Sequence, residues 1–206
     1  MYRANSIYSS LTLKDKISNF DYILLLSILL LGVISIFTQY SSSGGVFDYH
    51  SKSHAIRFIL FFFLFLTISL ISINFWFSTS FLIYFFFLLL LLGVEYFGIT
   101  SSGSRRWINI YIFNLQPSEL MKIGVILFLA KYYHRISSEN VNKVLYLLYP
   151  IIALTIPFIL VLTQPDLGTS LLILSSGIII IWLAGIKSKF FIYISFLLIA
   201  AAPVVI

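Results

Sequence analysis

Cysteine does not occur in this chain, and charge is scarce: 10% of the 206 residues are Asp, Glu, Lys or Arg, against roughly 25% in ordinary soluble domains. The first absence excludes disulfides, thiolate metal sites and cysteine nucleophiles. The second excludes an ordinary soluble globular protein. No Arg/Lys-rich groove with interleaved aromatics occurs either, so the formal net charge of +6 speaks to membrane orientation and not to nucleic acid.

What the chain has instead is grease. Sixty per cent of it is hydrophobic, mean hydropathy is +1.05, and apolar runs near twenty residues recur, the length a helix needs to cross a ~30 Å hydrocarbon core. The fold class expected is an all-α polytopic membrane protein. Its spans are Tyr22–Phe37, Ile56–Ile73, Phe81–Phe97, Pro117–Tyr133, Leu145–Leu162, Leu167–Leu183 and an incomplete seventh from Phe190 to the end. Residues 1–21 are a cytoplasmic tail, too polar ahead of the first apolar run for a signal peptide, and 22–206 form one transmembrane domain. With the N-terminus inside, the cytoplasmic segments hold eight bases, among them Arg3, Lys131, Arg135 and Lys189, and the outer segments hold five. Lysine and arginine collect on the inner side, so the count favours this orientation. Phe-rich runs such as Phe61–Leu66 read as lipid-facing filler.

One outer stretch, Gly103–Lys122 (GSRRWINIYIFNLQPSELMK), gathers polar chemistry. Pro117 suits the first position of a helix, where its missing N–H has no partner to lose. Glu119 then falls in the first turn, where capping alone explains a carboxylate. Lys122, three residues on and on the same face, must snorkel or pair. Arg105, Arg106 and Trp107 suit an interfacial anchor, yet two arginines on the outer side run against the charge trend. Guanidinium also grips phosphate or pyrophosphate bidentately. A second stretch, Gln164–Ser170 (QPDLGTS), repeats the Gln-Pro start forty-eight residues later, a weak internal echo. Pro165 is expected to open that helix, with Asp166 at its second position, either capping or orienting a base from the first stretch. Gly168 is expected to admit a neighbouring helix closely.

Other polar residues carry weaker signals. Asp48, His50 and His54 place two histidines four apart, but no glutamate base accompanies them and no metal site is assigned. Glu95 reads as snorkelling or paired, and His134 and Arg135 as inner-face anchors.

SRRWI, NLQPSELMK and TQPDLGTS together resemble the family of shape, elongation, division and sporulation (SEDS) proteins. Within it, QPDLGTS is closer to the elongation branch, RodA, than to the division branch, FtsW. The resemblance covers essentially the whole chain but only the N-terminal part of a ten-helix pattern. It implies a bacterial cytoplasmic (inner) membrane enzyme of cell-wall synthesis that polymerises glycan strands from lipid II. The partners implied are a class B penicillin-binding protein and other elongation-complex membrane proteins, with no nucleic acid. Arg106, Trp107, Gln116, Pro117, Ser118, Glu119 and Lys122 match its first functional motif, and Gln164, Pro165, Asp166 and Gly168 its second. By this resemblance the side chains bind or orient the substrate pyrophosphate, while Pro117, Pro165 and Gly168 shape the motifs.

The reaction implied is attack of a sugar 4-hydroxyl on the anomeric carbon of the growing chain, expelling undecaprenyl pyrophosphate. It needs a base for the hydroxyl and cations for the leaving group. The family's presumed base is an aspartate in an outer loop after the seventh span, beyond Ile206. No catalytic residue is therefore expected here, and these residues are not expected to polymerise glycan alone. Any cofactor is unknown, a divalent cation being a candidate. Two alternatives stand beside this reading: a lipid II flippase, and a non-catalytic scaffold for the partner synthase.

Overall fold

A computed structural model describes residues 12–101, 104–111, 113–137 and 139–187. The expected seventh span from Phe190, Arg3 and Lys189 lie outside the described residues. Two compact units divide the chain, Met1–Trp76 and Phe77–Ile206.

In the first unit a short helix, α1 (Leu13–Ser18), starts on a capping box between Thr12 and Asp15. Lys16 Nζ donates to the Leu70 carbonyl at 2.9 Å, at the C-terminus of a later helix where such carbonyls lack intrahelical partners. Asp21 caps α2 (Tyr22–Ser42) by accepting the N–H groups of Ile23 and Leu24. Asp48 caps α3 (Tyr49–Leu70) through the N–H of Ser51 at 2.8 Å. That cap starts α3 seven residues before the expected Ile56, because a helix whose first donors are satisfied need not wait for apolar residues. The link between α2 and α3 is correspondingly tight, with Gly44 and Gly45 at φ +72° and +78°. The two helices meet closely at Gly32, whose missing Cβ leaves room for the Phe58 ring.

The second unit carries the core. It contains all but the first turn of α4 (Ile73–Phe97), then strands β1 (Ile99–Ser101), β2 (Ser104–Asn109) and β3 (Asn114–Leu115), and helices α5 (Pro117–His134), α6 (Val144–Thr163) and α7 (Leu167–Leu183). Helices α2, α3, α4 and α6 are long and apolar enough to cross a membrane; α7 is apolar but shorter. This is a multi-pass helical membrane protein. Helix α7 packs on both α5 and α6 around Met121, Val125, Leu129, Val161 and Ile173, all fully buried. Close approach occurs at Gly177, whose missing Cβ leaves room for the Leu154 side chain.

Residues 99–115 are not the plain loop expected between two spans. They form a three-stranded antiparallel sheet in the order β1-β2-β3, pairing Ile99 with Trp107 and Ile108 with Leu115. Its second turn is made by Asn109, whose Oδ1 accepts the N–H of Tyr111 at 2.7 Å, and by Tyr111 itself at φ +59°. Asn in this role mimics a backbone turn.

Helix α6 contains Pro150 and Pro157. A proline removes the N–H that the carbonyl four residues earlier would receive, which frees Tyr146 O and Ala153 O inside an apolar layer. Both carbonyls are met from outside the helix. Tyr132 Oη on α5 donates to Tyr146 O at 2.9 Å, and Tyr84 Oη on α4 donates to Ala153 O at 2.8 Å. An unsatisfied carbonyl in hydrocarbon costs several kcal/mol, so the two tyrosines complete the α6 backbone.

Tyr84→Phe is expected to lower unfolding free energy in bicelles by about 1 kcal/mol. In a Pro157→Ala background, where an N–H returns to Ala153 O, the same change should cost less than half as much. Equal costs in both backgrounds would contradict the account.

Candidate functional site

Four helix ends and the sheet converge at one end of the second unit: the C-termini of α4 and α6, the N-termini of α5 and α7, and strand β2. The turn from α6 to α7 sits at their centre. Gln164 is the C-cap of α6 and Asp166 the N-cap of α7, so Pro165 alone lies between the caps. The expectation that Pro165 opens α7 is therefore corrected. Asp166 takes the cap because its carboxylate accepts the Thr169 N–H at 3.2 Å, satisfying a donor that has no partner within the helix. At α5 the expectation holds, with Gln116 the N-cap and Pro117 the first helical residue. The two Gln-Pro pairs thus do different jobs, and the internal echo is not a structural repeat.

Arg106 reaches from β2 onto this turn. Its Nε donates to Gln164 O at 3.0 Å, its Nη2 donates to Pro165 O, and its Nη1 lies 3.7 Å from Asp166 Oδ2. All three guanidinium nitrogens are engaged, which makes Arg106 a clamp between sheet and turn. Gln116 Nε2 donates to the same Asp166 Oδ2 at 3.1 Å, and Gln164 Nε2 donates to Leu91 O on α4 at 3.4 Å. Asp166, its side chain only 13% exposed, therefore holds β2, α5 and α7 together. The bases of the first stretch and the acid of the second, separate in sequence, meet here.

One turn into α5, Lys122 Nζ lies 2.9 Å from each Glu119 oxygen. Glu119 thus spends its carboxylate on Lys122; Gln116 makes no side-chain cap. Ser118 and Pro117 are buried in the packing, and Trp107 is partly buried beside Ile99. Arg105 is exposed and donates to Glu95 O at 3.3 Å. Gly168 departs from expectation: it is exposed, and an added Cβ there would meet only Asp166 Oδ1, at 4.0 Å, among the described residues. It stands in the first turn of α7 and faces away from the packed side, whereas the close approach falls deeper, at Gly177.

Chemically, this end gathers three cations, Arg105, Arg106 and Lys122, and the positive ends of the α5 and α7 dipoles alongside the negative ends of α4 and α6. Its N-terminal side, with Lys122, suits an anion. Of its carboxylates, Glu119 and Asp166 are held in ion pairs, so neither is set up as a free base, and Glu95, near the C-terminus of α4, is exposed. The Asp48, His50 and His54 side chains take other roles. Asp48 caps α3, with the N–H and hydroxyl of Ser51 holding its carboxyl below the usual range. His54 Nε2 shares a hydrogen bond with Ser35 Oγ at 2.8 Å, and His50 stacks edge-on against Tyr49.

Sequence reasoning missed the two carbonyl acceptors of Arg106, because backbone atoms leave no residue signature. It also did not foresee the partners of Lys131, which lies within the expected Pro117–Tyr133 span and was counted with the cytoplasmic bases. Lys131 is buried within α5, where its Nζ donates to Ser78 O at 2.7 Å and lies 4.5 Å from the Phe81 ring centre.

Comparison with known proteins gives a consistent picture. The profile of a family described as cell cycle protein (FtsW, RodA, SpoVE) matches residues 18–206. A probable peptidoglycan glycosyltransferase FtsW from Buchnera aphidicola subsp. Baizongia pistaciae is 32% identical over 186 residues, covering 88% of this chain and 49% of that protein. The peptidoglycan glycosyltransferase MrdB of Escherichia coli (strain K12) is 36% identical over 109 residues, 51% of this chain and 28% of its own length. The chain spans about half the length of its FtsW relatives. Among solved structures, the rod shape determining protein RodA of Thermus thermophilus superposes with a TM-score of 0.72 at 24% identity, covering 88% of this chain and 59% of that one. A chain from work on the structural coordination of polymerization and crosslinking by a peptidoglycan synthase complex gives 0.79 at 23%, covering 90% and 54%.

Asp166→Asn keeps a good N-cap but removes the charge, so it is expected to cost about 1 kcal/mol of stability. Asp166→Ala loses cap and clamp together and should cost about 2–4 kcal/mol. Thermal unfolding in detergent, read at matched concentrations, should rank the two in that order.

Proposed function

The chain belongs to the FtsW/RodA/SpoVE family of cell cycle proteins, and we propose that it supplies the substrate-holding part of a peptidoglycan glycosyltransferase acting on lipid II. The observation that carries this reading is the Glu119–Lys122 pair beside the Arg106–Asp166 clamp. In the transfer, a sugar 4-hydroxyl forms a bond to the anomeric carbon while the bond to the pyrophosphate oxygen breaks. Negative charge grows on that leaving oxygen. Lys122, one-quarter exposed and held by the half-exposed Glu119, is the fixed cation that would meet it. Arg105 adds field at the same end. Arg106, Gln116, Gln164 and Asp166 orient these groups rather than touch the substrate, and Trp107 and Ser118 support the frame. The base that takes the hydroxyl proton is not among the described residues of this site.

Leu167 in QPDLGTS favours the elongation type over the division type. The proposed setting is the bacterial inner membrane with the N-terminus cytoplasmic, the site at the outer face, and a class B penicillin-binding protein as partner among other elongation-complex membrane proteins. A divalent cation bound with the pyrophosphate would fit the chemistry. The flippase alternative is less well supported, because transporter sites tend to lie near mid-span and these polar groups gather at helix ends. The scaffold alternative draws on the saturation of Arg106, which suits a purely structural joint.

The test is a chimera in which residues 18–206 replace the matching half of a full-length family member, assayed with its partner synthase and fluorescent lipid II. Lys122→Ala and Glu119→Ala are each expected to lower polymer yield at least about tenfold. Unchanged yield in both would exclude the substrate-holding role and favour the scaffold.

A further inference from the structure

At the other end of α5, about 25 Å from Pro117 by helical rise, the second unit has a groove with no part in the site above. It lies among α4, α5 and α6, has a volume of about 570 Å³, and is floored by aromatic and aliphatic side chains including Phe81, Phe85, Phe128, Tyr132 and Tyr149. That size is within the range of small-ligand sites. One charged residue lines it, Arg135.

The charges around this groove do not balance. Arg135 is exposed, and its guanidinium lies 5.5 Å from the Phe81 ring centre. Lys131, one helical turn earlier and 5% exposed, approaches the same ring at 4.5 Å. Neither is within ion-pair distance of a carboxylate among the described residues, where the ion pairs are Arg106–Asp166 and Lys122–Glu119. Two cations one turn apart repel each other. Two aromatic rings, Phe77 at 5.6 Å and Phe81 at 4.5 Å, and a single carbonyl offset part of the cost of the buried ammonium but do not neutralise it. In apolar surroundings such a pair calls for an anion.

We propose that this groove binds an anionic phospholipid, with its phosphate on Arg135 and an acyl chain along the aromatic floor. The phosphate supplies the missing negative charge, and guanidinium can hold it bidentately. Membrane lipid is the occupant that joins both requirements, an anion and a long apolar tail, in one molecule. The proposal does not depend on the glycosyl-transfer reading, and its test uses no activity.

The chain has no cysteine, so a fluorophore placed through Leu145→Cys, at the rim of the groove, reports from one place. In nanodiscs containing equal phosphatidylglycerol and phosphatidylcholine, spin-labelled phosphatidylglycerol is expected to quench it at least twofold more than spin-labelled phosphatidylcholine. Arg135→Glu should abolish that preference, and Lys52→Ala, a change at an exposed base of α3, should leave it intact. Quenching that differs less than twofold between the two lipids would overturn the proposal. So would a preference that survives Arg135→Glu, or a probe shielded from both lipids by a second polypeptide. Native mass spectrometry gives the same answer without a label: retained phosphatidylglycerol should exceed phosphatidylcholine several-fold in the unmodified chain and fall to parity in Arg135→Glu.

Discussion

Polar groups placed in hydrocarbon must find their partners within the protein, and the arrangement of the second unit follows from how that demand is met. Two prolines open the backbone of α6, and Tyr132 and Tyr84 close it from α5 and α4. Each of those hydroxyls fixes both the distance and the rotation of a neighbouring helix, since a hydrogen bond tolerates little error in either. Dispersion between aliphatic side chains would allow sliding. The tyrosines therefore set a register that the packing around Met121, Leu129 and Ile173 completes.

The same rule governs the functional end. Arg106 could not lie against the two helix ends at the α6–α7 turn as a bare cation; it is stable there because two carbonyls and a carboxylate receive it. With its donors so occupied, Arg106 is a joint between sheet and turn, whereas Lys122 keeps a single carboxylate partner. The difference between the two is a matter of donor count.

Much of this was legible in the sequence. Apolar runs near twenty residues located six helices, α2 to α7, four of them long and apolar enough to cross a membrane, Pro117 marked the start of α5, and the spacing of Glu119 and Lys122 put them on one face. Pairing of Asp166 with a base of the first stretch was one of two open roles, and the carboxylate fills both, since it caps α7 as well. Other features were hidden for physical reasons. Asp48 extends α3 through polar residues that an apolar count discards, and the sheet at 99–115 lacks the strict alternation that marks a half-buried strand. Lys131 was counted with the cytoplasmic bases because nothing local shows that Phe81 and Ser78 O lie across from it. Gly168 was expected to admit a neighbour on residue type alone, and which face of α7 packs is decided by Gly177 and Leu154.

The tyrosine bonds also bear on how the chain is made. Tyr84 and Tyr132 both precede Tyr146 and Ala153 in sequence, and chains are synthesised from the N-terminus. When α6 leaves the ribosome with two gaps in its backbone, the hydroxyls that fill them are already in place on α4 and α5. A helix that would be a poor solitary guest of the bilayer is thus delivered after the two helices that complete it.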